Sequence, residues 1–207
     1  MDKLVFQLKS LTWIQIGDGD CAMFAHWLDT QKSLKELKWT CRNPVAVSPS
    51  ACPNLTILEG NLHIITALIP NRPIEQLYGL DLLSLETHSN AAEYRRTLIK
   101  GCSSLTTLEF IGDCPQFIYY IPLPPNLRVL ILSIRKGYGA CTIFPLARCS
   151  ALVKRLFSES LHLTRVDVAA QLISNEVSYE RWERGFRILA LVPSQDVFQE
   201  RKILGNK

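Results

Sequence analysis

The chain has 207 residues, of which 47% are apolar and 20% are charged, which is ordinary for one folded domain. Its 23 basic and 19 acidic side chains leave a net charge of +4 without a run of like charge, so the charge pattern does not indicate a nucleic-acid partner. No segment approaches the ~18 apolar residues of a membrane helix or contains the core of a secretory signal, so we expect an intracellular protein, cytoplasmic or nuclear, without a membrane partner.

An apolar pattern, Leu-x-x-Leu-x-Leu in its ideal form, recurs along the whole chain. The clearest copy is Leu105-Thr106-Thr107-Leu108-Glu109-Phe110. Aligned on the leading apolar residue, the copies begin at Leu11, Leu34, Leu55, Ile74, Leu105, Leu127, Leu163 and Phe186. Most intervals fall in the ~20–29-residue window of leucine-rich repeats. The sequence therefore predicts an α/β leucine-rich-repeat solenoid, in which a curved parallel sheet carries short helices on its convex side.

Helical spacing of apolar residues predicts two short helices in the first half of the chain. The first covers Cys21 to Leu28 and has Asp20 as its N-cap. The loop from Asn43 to Pro53 joins the second and third strands without a helix. The second helix runs from Leu62 to Ile69 and is stopped by Pro70.

In the second half we predict a helix from about Ser89 to Lys100 and another from Leu146 to Ser158. The segment Arg181-Trp182-Glu183-Arg184, with Arg187, is interpreted as a solvated helix face, and the weaker alternative is an aromatic and basic contact for phosphate or an acidic partner. We expect residues 1–192 to form one leucine-rich-repeat domain of about eight irregular repeats, and residues 193–207 to form a C-terminal cap or tail.

The N-terminal end presents an apolar edge about one turn before the first predicted strand, at Leu4, Val5, Phe6 and Leu8. Solenoids need polar caps at both ends. Our hypothesis is that this chain is a fragment or one end of a longer protein, and that another part of that protein covers the edge.

No sequence motif indicates a catalytic, metal-binding or cofactor-binding site. Seven cysteines include no Cys-x-x-Cys pair and are odd in number, so we expect reduced, mostly buried cysteines. The four histidines have no ligand spacing, so neither a metal nor a cofactor is expected. Because no known nucleophile, zinc-protease or phosphate-loop motif occurs, we predict a non-catalytic protein. The alternative is a hydrolase or transferase on a compact α/β sheet, with a site assembled from distant residues.

Two segments resemble a known family. The segment from Cys102 to Cys114 resembles the cysteine-containing type of leucine-rich repeat that is typical of F-box proteins. The segment from Leu68 to Glu75 is similar to the repeat region of the F-box family of mushroom-forming fungi. The resemblance implies a receptor that holds a substrate for a cullin-type ubiquitin ligase, while the F-box binds the ligase adaptor. The F-box itself is absent from this chain, so only the part that binds the substrate protein is expected here.

The candidate binding surface follows from the alternation of side chains along each strand, which directs every second residue onto the concave face. The candidate partner-binding residues are Trp13, Gln15, Glu36, Lys38, Glu59, Tyr78, Glu109, Arg165 and Asp167. We expect Trp13, Tyr78 and Arg165 to be the main anchors, because aromatic and arginine side chains dominate interface energetics. The alternative is an ordinary solvated sheet face.

Overall fold

The computed structural model describes residues 6–14, 21–41, 44–81, 102–112, 123–134, 146–171, 177–184 and 186–191. These residues form an α/β structure with nine strands in one sheet. The strands are β1 (Ser10–Ile14), β2 (Glu36–Thr40), β3 (Ile57–Gly60), β4 (Gln76–Asp81), β5 (Thr107–Gly112), β6 (Val129–Ile134), β7 (Arg165–Gln171), β8 (Val177–Glu183) and β9 (Phe186–Leu191). The helices are α1 (Cys21–Leu28), α2 (Leu62–Leu68) and α3 (Leu146–Glu159).

The order of strands in the sheet follows their order in the chain. Strands β1 to β7 pair in parallel, whereas β8 is antiparallel to β7 and β9 is antiparallel to β8. The predicted α/β class with a largely parallel sheet is therefore confirmed. Two expectations at the C-terminal end are wrong: the strand at Phe186 does not pair with the seventh strand, and the segment around Arg181 belongs to β8 and not to a helix.

The same hydrogen-bond arrangement joins each parallel strand to the next. The carbonyl of Lys35 accepts hydrogen bonds from the backbone N–H groups of Thr56 and Ile57, both at 2.9 Å. We call carbonyls that accept two such bonds the junction carbonyls, and they belong to Lys9, Lys35, Thr56, Glu75, Thr106 and Arg128. A threonine hydroxyl adds a third bond at the junction carbonyls of Lys35, Glu75 and Arg128. Successive parallel strands are thus joined in one repeated geometry.

One face of the sheet packs against the helices, and we call it the core face. Its central row runs across the parallel strands and is buried throughout: Leu37, Leu58, Leu77, Leu108, Leu130 and Val166. Helices α1, α2 and α3 contribute Leu28, Ile65 and Leu156 to the same hydrophobic cluster. A strand and a short helix bury little apolar surface alone, so this shared cluster is what stabilises each turn. We call the other side of the sheet the polar face.

The register of the first strand differs from the sequence prediction. Leu11 pairs with Leu37, so Leu11 occupies the second apolar position of its turn and not the leading one. Leu8 takes the leading position, where it packs partly buried against the core. The predicted register was therefore wrong by three residues in this turn.

Two glycines show how closely β2, β3 and β4 approach one another. A Cβ atom added to Gly60 would lie 2.6 Å from the carbonyl oxygen of Trp39, so no other residue fits without a backbone shift. Gly79 has a φ of +82° at an irregularity in β4. Because the register shifts there, Leu80 and not Gly79 pairs with Phe110 and fills the third apolar position.

The helices agree closely with the sequence prediction. Helix α1 has the predicted bounds, and α2 begins after Asn61, whose side chain accepts a hydrogen bond from the N–H of Ile64. Helix α3 extends one residue beyond its predicted end. The helix predicted from about Ser89 to Lys100 and the tail 193–207 lie outside the described residues. Within the described ranges, no helix has the length and hydropathy needed to cross a membrane.

The expectation of reduced cysteines is wrong for two of them. Cys21 and Cys41 form a disulfide, which links the start of α1 to the residue after β2. Cys52 and Cys102 are free and buried. The pairing arises because α1 packs beside the turn that ends at Cys41, and a spacing of 20 residues in the sequence carries no indication of this approach.

Replacing both Cys21 and Cys41 by serine should lower the free energy of unfolding by about 2–3 kcal/mol, because the disulfide restricts the unfolded chain within the loop that it closes. The measurement is urea denaturation of both proteins without reductant. Dithiothreitol should destabilise the unsubstituted protein and leave the double variant unchanged. Equal midpoints for the two proteins without reductant would contradict this role.

Candidate functional site

The parallel register places the predicted binding residues in rows across the polar face. Lys38 of β2 lies beside Glu59 of β3, and Glu59 lies beside Tyr78 of β4. On the other side of the β4 irregularity, Glu109 of β5 and Asp167 of β7 are both neighbours of Ile131. The structure therefore brings most of the predicted residues into one central row, with Glu36 and Arg165 in the adjacent row.

Trp13 does not belong to this face, which corrects its predicted position. It pairs with Trp39, which is fully buried in the core, and its ring stacks on Phe24 of α1 at a centroid distance of 4.8 Å. In β1, Ser10 and Thr12 lie on the polar face instead. Gln15 lies outside the described residues.

Polar contacts between neighbouring strands organise the N-terminal half of the face. The ammonium of Lys38 is 2.5 Å from Oε1 of Glu59, and each side chain is about one third exposed. Ser10 donates a hydrogen bond of 3.0 Å to Oε2 of Glu36. Contacts between half-exposed ions add little stability. Their main consequence is that these side chains have defined positions on the surface.

Tyr78 lies near the centre of the row and is half-buried. Its hydroxyl donates a hydrogen bond of 2.9 Å to Oε1 of Gln76, two residues earlier on the same strand. The ring is thus oriented by its own strand while part of its surface stays accessible. A partly exposed aromatic ring held in one position is a typical feature of protein-binding surfaces.

The C-terminal half of the face contains two buried carboxylates. Asp167 is 1% exposed, and its two oxygens lie 3.3 Å from Nε of Arg165 and 3.0 Å from Nε of Arg181. Glu109 is also 1% exposed and accepts a hydrogen bond of 2.6 Å from the hydroxyl of Ser133. Buried charge is tolerated only with such partners. These two carboxylates are therefore structural, and Arg165 is the more accessible residue.

Sequence reasoning missed the roles of several residues near this end. Arg181 crosses from β8 to Asp167, and Trp182 is buried against the core beside Val166. Arg184 donates hydrogen bonds to the carbonyls of Ser160, Leu161 and Leu163, and its guanidinium lies over the ring of Phe157. The alternation of the segment, with Arg181 and Trp182 on opposite faces, could have indicated a strand.

The described thiols and polar clusters do not resemble a reactive centre. Burial raises the pKa of Cys52 to about 11 and that of Cys102 to about 12, so both thiols are protonated near neutral pH. A nucleophilic cysteine instead requires a lowered pKa. Among the described residues, no group of three or more potential ligands is arranged to hold a metal ion.

Comparisons with known proteins add no relationship to this geometry. No protein family, no curated protein and no solved structure matches the chain.

Proposed function

We propose that this chain is a leucine-rich-repeat solenoid that acts as a non-catalytic protein-binding module. The observation that carries the proposal is the set of partly exposed side chains on the polar face, which come from three of the parallel strands in the N-terminal half and from β7: Lys38, Glu59, Tyr78 and Arg165. Repeat proteins commonly bind partners on an extended surface that each turn supplies with one or two side chains. The repeated junction carbonyls support the assignment to this class of architecture.

The contacts on the polar face favour binding over simple solvation. Lys38, Glu59 and Tyr78 each have a partner that limits their rotamers before any ligand arrives. Because less side-chain entropy is then lost on association, such a surface binds more tightly than a mobile one of equal area. Tyr78 is central and partly exposed, and we propose it as the main anchor, with Arg165 as the second.

The resemblance to F-box repeats provides the cellular role within this proposal. We propose that the module is the substrate-binding region of an F-box-like receptor of a ubiquitin ligase, acting inside the cell. The segment from Leu68 to Glu75, which carries part of the resemblance, surrounds the buried guanidinium of Arg72. That arginine binds backbone carbonyls of its own chain, so it belongs to the scaffold and not to the proposed interface.

The test is affinity capture of partners by the chain, compared between two adjacent substitutions. Tyr78→Ala should weaken binding of the captured partner by about 1–3 kcal/mol and change stability little. Leu77→Ala should do the opposite, because Leu77 is fully buried and its loss leaves a cavity. The measurements are a thermal melt and a partner titration of each variant.

The two variants control for each other, because they differ by one residue in position and by the face they occupy. Unfolding by Tyr78→Ala, or a partner whose affinity is unchanged by it, would remove the polar face from consideration. Because the F-box is absent from this chain, the ligase role further requires that the chain, when expressed in cells with inhibited proteasomes, competes with the complete receptor and lowers the ubiquitin carried by the captured protein. An unchanged level of ubiquitin would leave a binding module of another kind.

A further inference from the structure

Exposed apolar side chains are concentrated at the N-terminal edge of the sheet. The large apolar residues that are exposed in the described part of the chain are Phe6, Trp13, Ile14, Met23 and Leu161. All except Leu161 lie in or beside the first turn. Ile14 is 58% exposed and Trp13 is 45% exposed, although Trp13 belongs to the aromatic cluster of the core. Trp13 and Ile14 lie on opposite faces of β1, so exposed apolar side chains border this strand on both of its faces.

Among the described residues, no strand pairs with the outer side of β1. The carbonyl of Lys9 accepts hydrogen bonds from the β2 side of the sheet. Backbone groups alternate in direction along a strand, so Leu11 and Trp13 also face β2, whereas Ser10, Thr12 and Ile14 direct their N–H and C=O groups to the outer side. In the strand order of the described residues, β1 is an end strand.

The features that usually prevent edge pairing are missing from the sequence of this strand. Natural edge strands are protected by charged residues, proline, bulges or very short length. The five residues Ser10-Leu11-Thr12-Trp13-Ile14 include neither a charge nor a proline, and their register with β2 is continuous. The edge is therefore chemically suited to accept another strand.

We propose that β1 pairs with β1 of a second copy of this chain, antiparallel and about a two-fold axis at Thr12, so that the two sheets become one. This inference is independent of the proposed partner on the polar face. Both Thr12 residues would exchange their outward N–H and C=O groups as a hydrogen-bonded pair. Such a contact is isologous and closes after two copies.

The side chains of the strand are complementary to themselves in this orientation. On the core face, Leu11 of one copy lies opposite Trp13 of the other, so the exposed side of each indole is covered by an apolar residue. On the polar face, Ser10 lies opposite Ile14. Both pairings follow from the two-fold position at Thr12, since residues equally distant from it meet.

The self-complementary side chains favour a second copy as the occupant, and the charge of Lys9 favours the antiparallel orientation of the two copies. In the antiparallel pair, the two Lys9 residues would lie at opposite ends. The rise of a β-strand gives a separation of about 20 Å between them. This separation exceeds the electrostatic screening length of about 8 Å at physiological ionic strength, so the two charges would repel each other little. Parallel pairing in register would instead place them side by side.

The experiment is sedimentation equilibrium of the full chain over a wide dilution series, with variants at the edge. A reversible dimer is expected. Thr12→Pro removes the outward N–H while sparing the inner ladder, and Ile14→Lys adds a charge to the edge; each should raise the dissociation constant at least about tenfold. Thr12→Val and Leu161→Lys are the matched controls and should leave it unchanged.

The outcomes are decisive in both directions. A monomer at every concentration would overturn the proposal, as would a dimer that either edge variant leaves intact, because the contact would then use another surface. Circular dichroism establishes that each variant is folded. If Thr12→Pro does not fold, Ile14→Lys decides alone, since Ile14 is exposed and its replacement removes no core contact.

Discussion

Replacing Leu108 by alanine is expected to lower the free energy of unfolding by about 2–5 kcal/mol. Leu108 is 3% exposed and sits in the centre of the core row, between Leu77 of β4 and Leu130 of β6. Because strands are hydrogen-bonded on both of its sides, the backbone cannot move inward to fill the space that the missing atoms leave. We therefore expect Leu108→Ala to lower the free energy of unfolding by several kcal/mol more than a surface substitution does.

The measurement is chemical denaturation, with Thr107→Ala as the control. Thr107 precedes Leu108 on the same strand but is half-exposed on the polar face, so its replacement should change stability by less than about 0.5 kcal/mol. Similar losses for the two variants would mean that the assignment of faces in β5 is wrong.

Replacing Arg72 by methionine is expected to lower the free energy of unfolding by about 2–4 kcal/mol. Arg72 is 5% exposed, and its guanidinium donates hydrogen bonds of 2.8–2.9 Å to the carbonyls of Ser48, Ala51, Leu68 and Pro70. Burial lowers the pKa of Arg72 from its ordinary value, yet four acceptors compensate the charge. Methionine would fill similar space and leave those carbonyls without their donor.

Two further variants make this test specific. Arg72→Lys keeps the charge but presents one nitrogen, which cannot span four carbonyls on two segments, so it should recover only part of the loss. Arg128→Met removes an exposed arginine and should change stability by less than about 0.5 kcal/mol. A small effect of Arg72→Met would show that water replaces the guanidinium without penalty.

The repeat pattern predicted the parallel strands because each turn repeats one apolar spacing that only one face can bury. Leu34, Leu55 and Leu127 were assigned as leading residues, and each is fully buried at the start of its turn. The first turn failed for a definite reason. Leu8, Leu11 and Ile14 are spaced by three, so the pattern fits two registers equally, and only pairing with Leu37 distinguishes them.

The disulfide could not be predicted because it depends on a contact between segments, and the alternation in the C-terminal hairpin was obscured by its polar composition. In β8, Arg181 and Glu180 give the strand a polar composition typical of a surface helix. Both side chains are hydrogen-bonded in the fold. Arg181 donates a hydrogen bond to Asp167, and Glu180 accepts one from Trp182. The alternation of side chains along β7 placed Asp167 on the polar face, but the sequence pattern did not indicate that Asp167 is buried there.

The junction carbonyls have a consequence for how this chain can change over evolution. At each junction two parallel strands are joined through backbone groups, which every residue except proline supplies in full. The chain between two junctions is therefore free to lengthen, as it does between Arg128 and Thr164 compared with Thr56 and Glu75, while the hydrogen bonds at both ends stay the same. A connecting segment can therefore gain or lose residues over evolution without altering the hydrogen bonds between the strands that it joins.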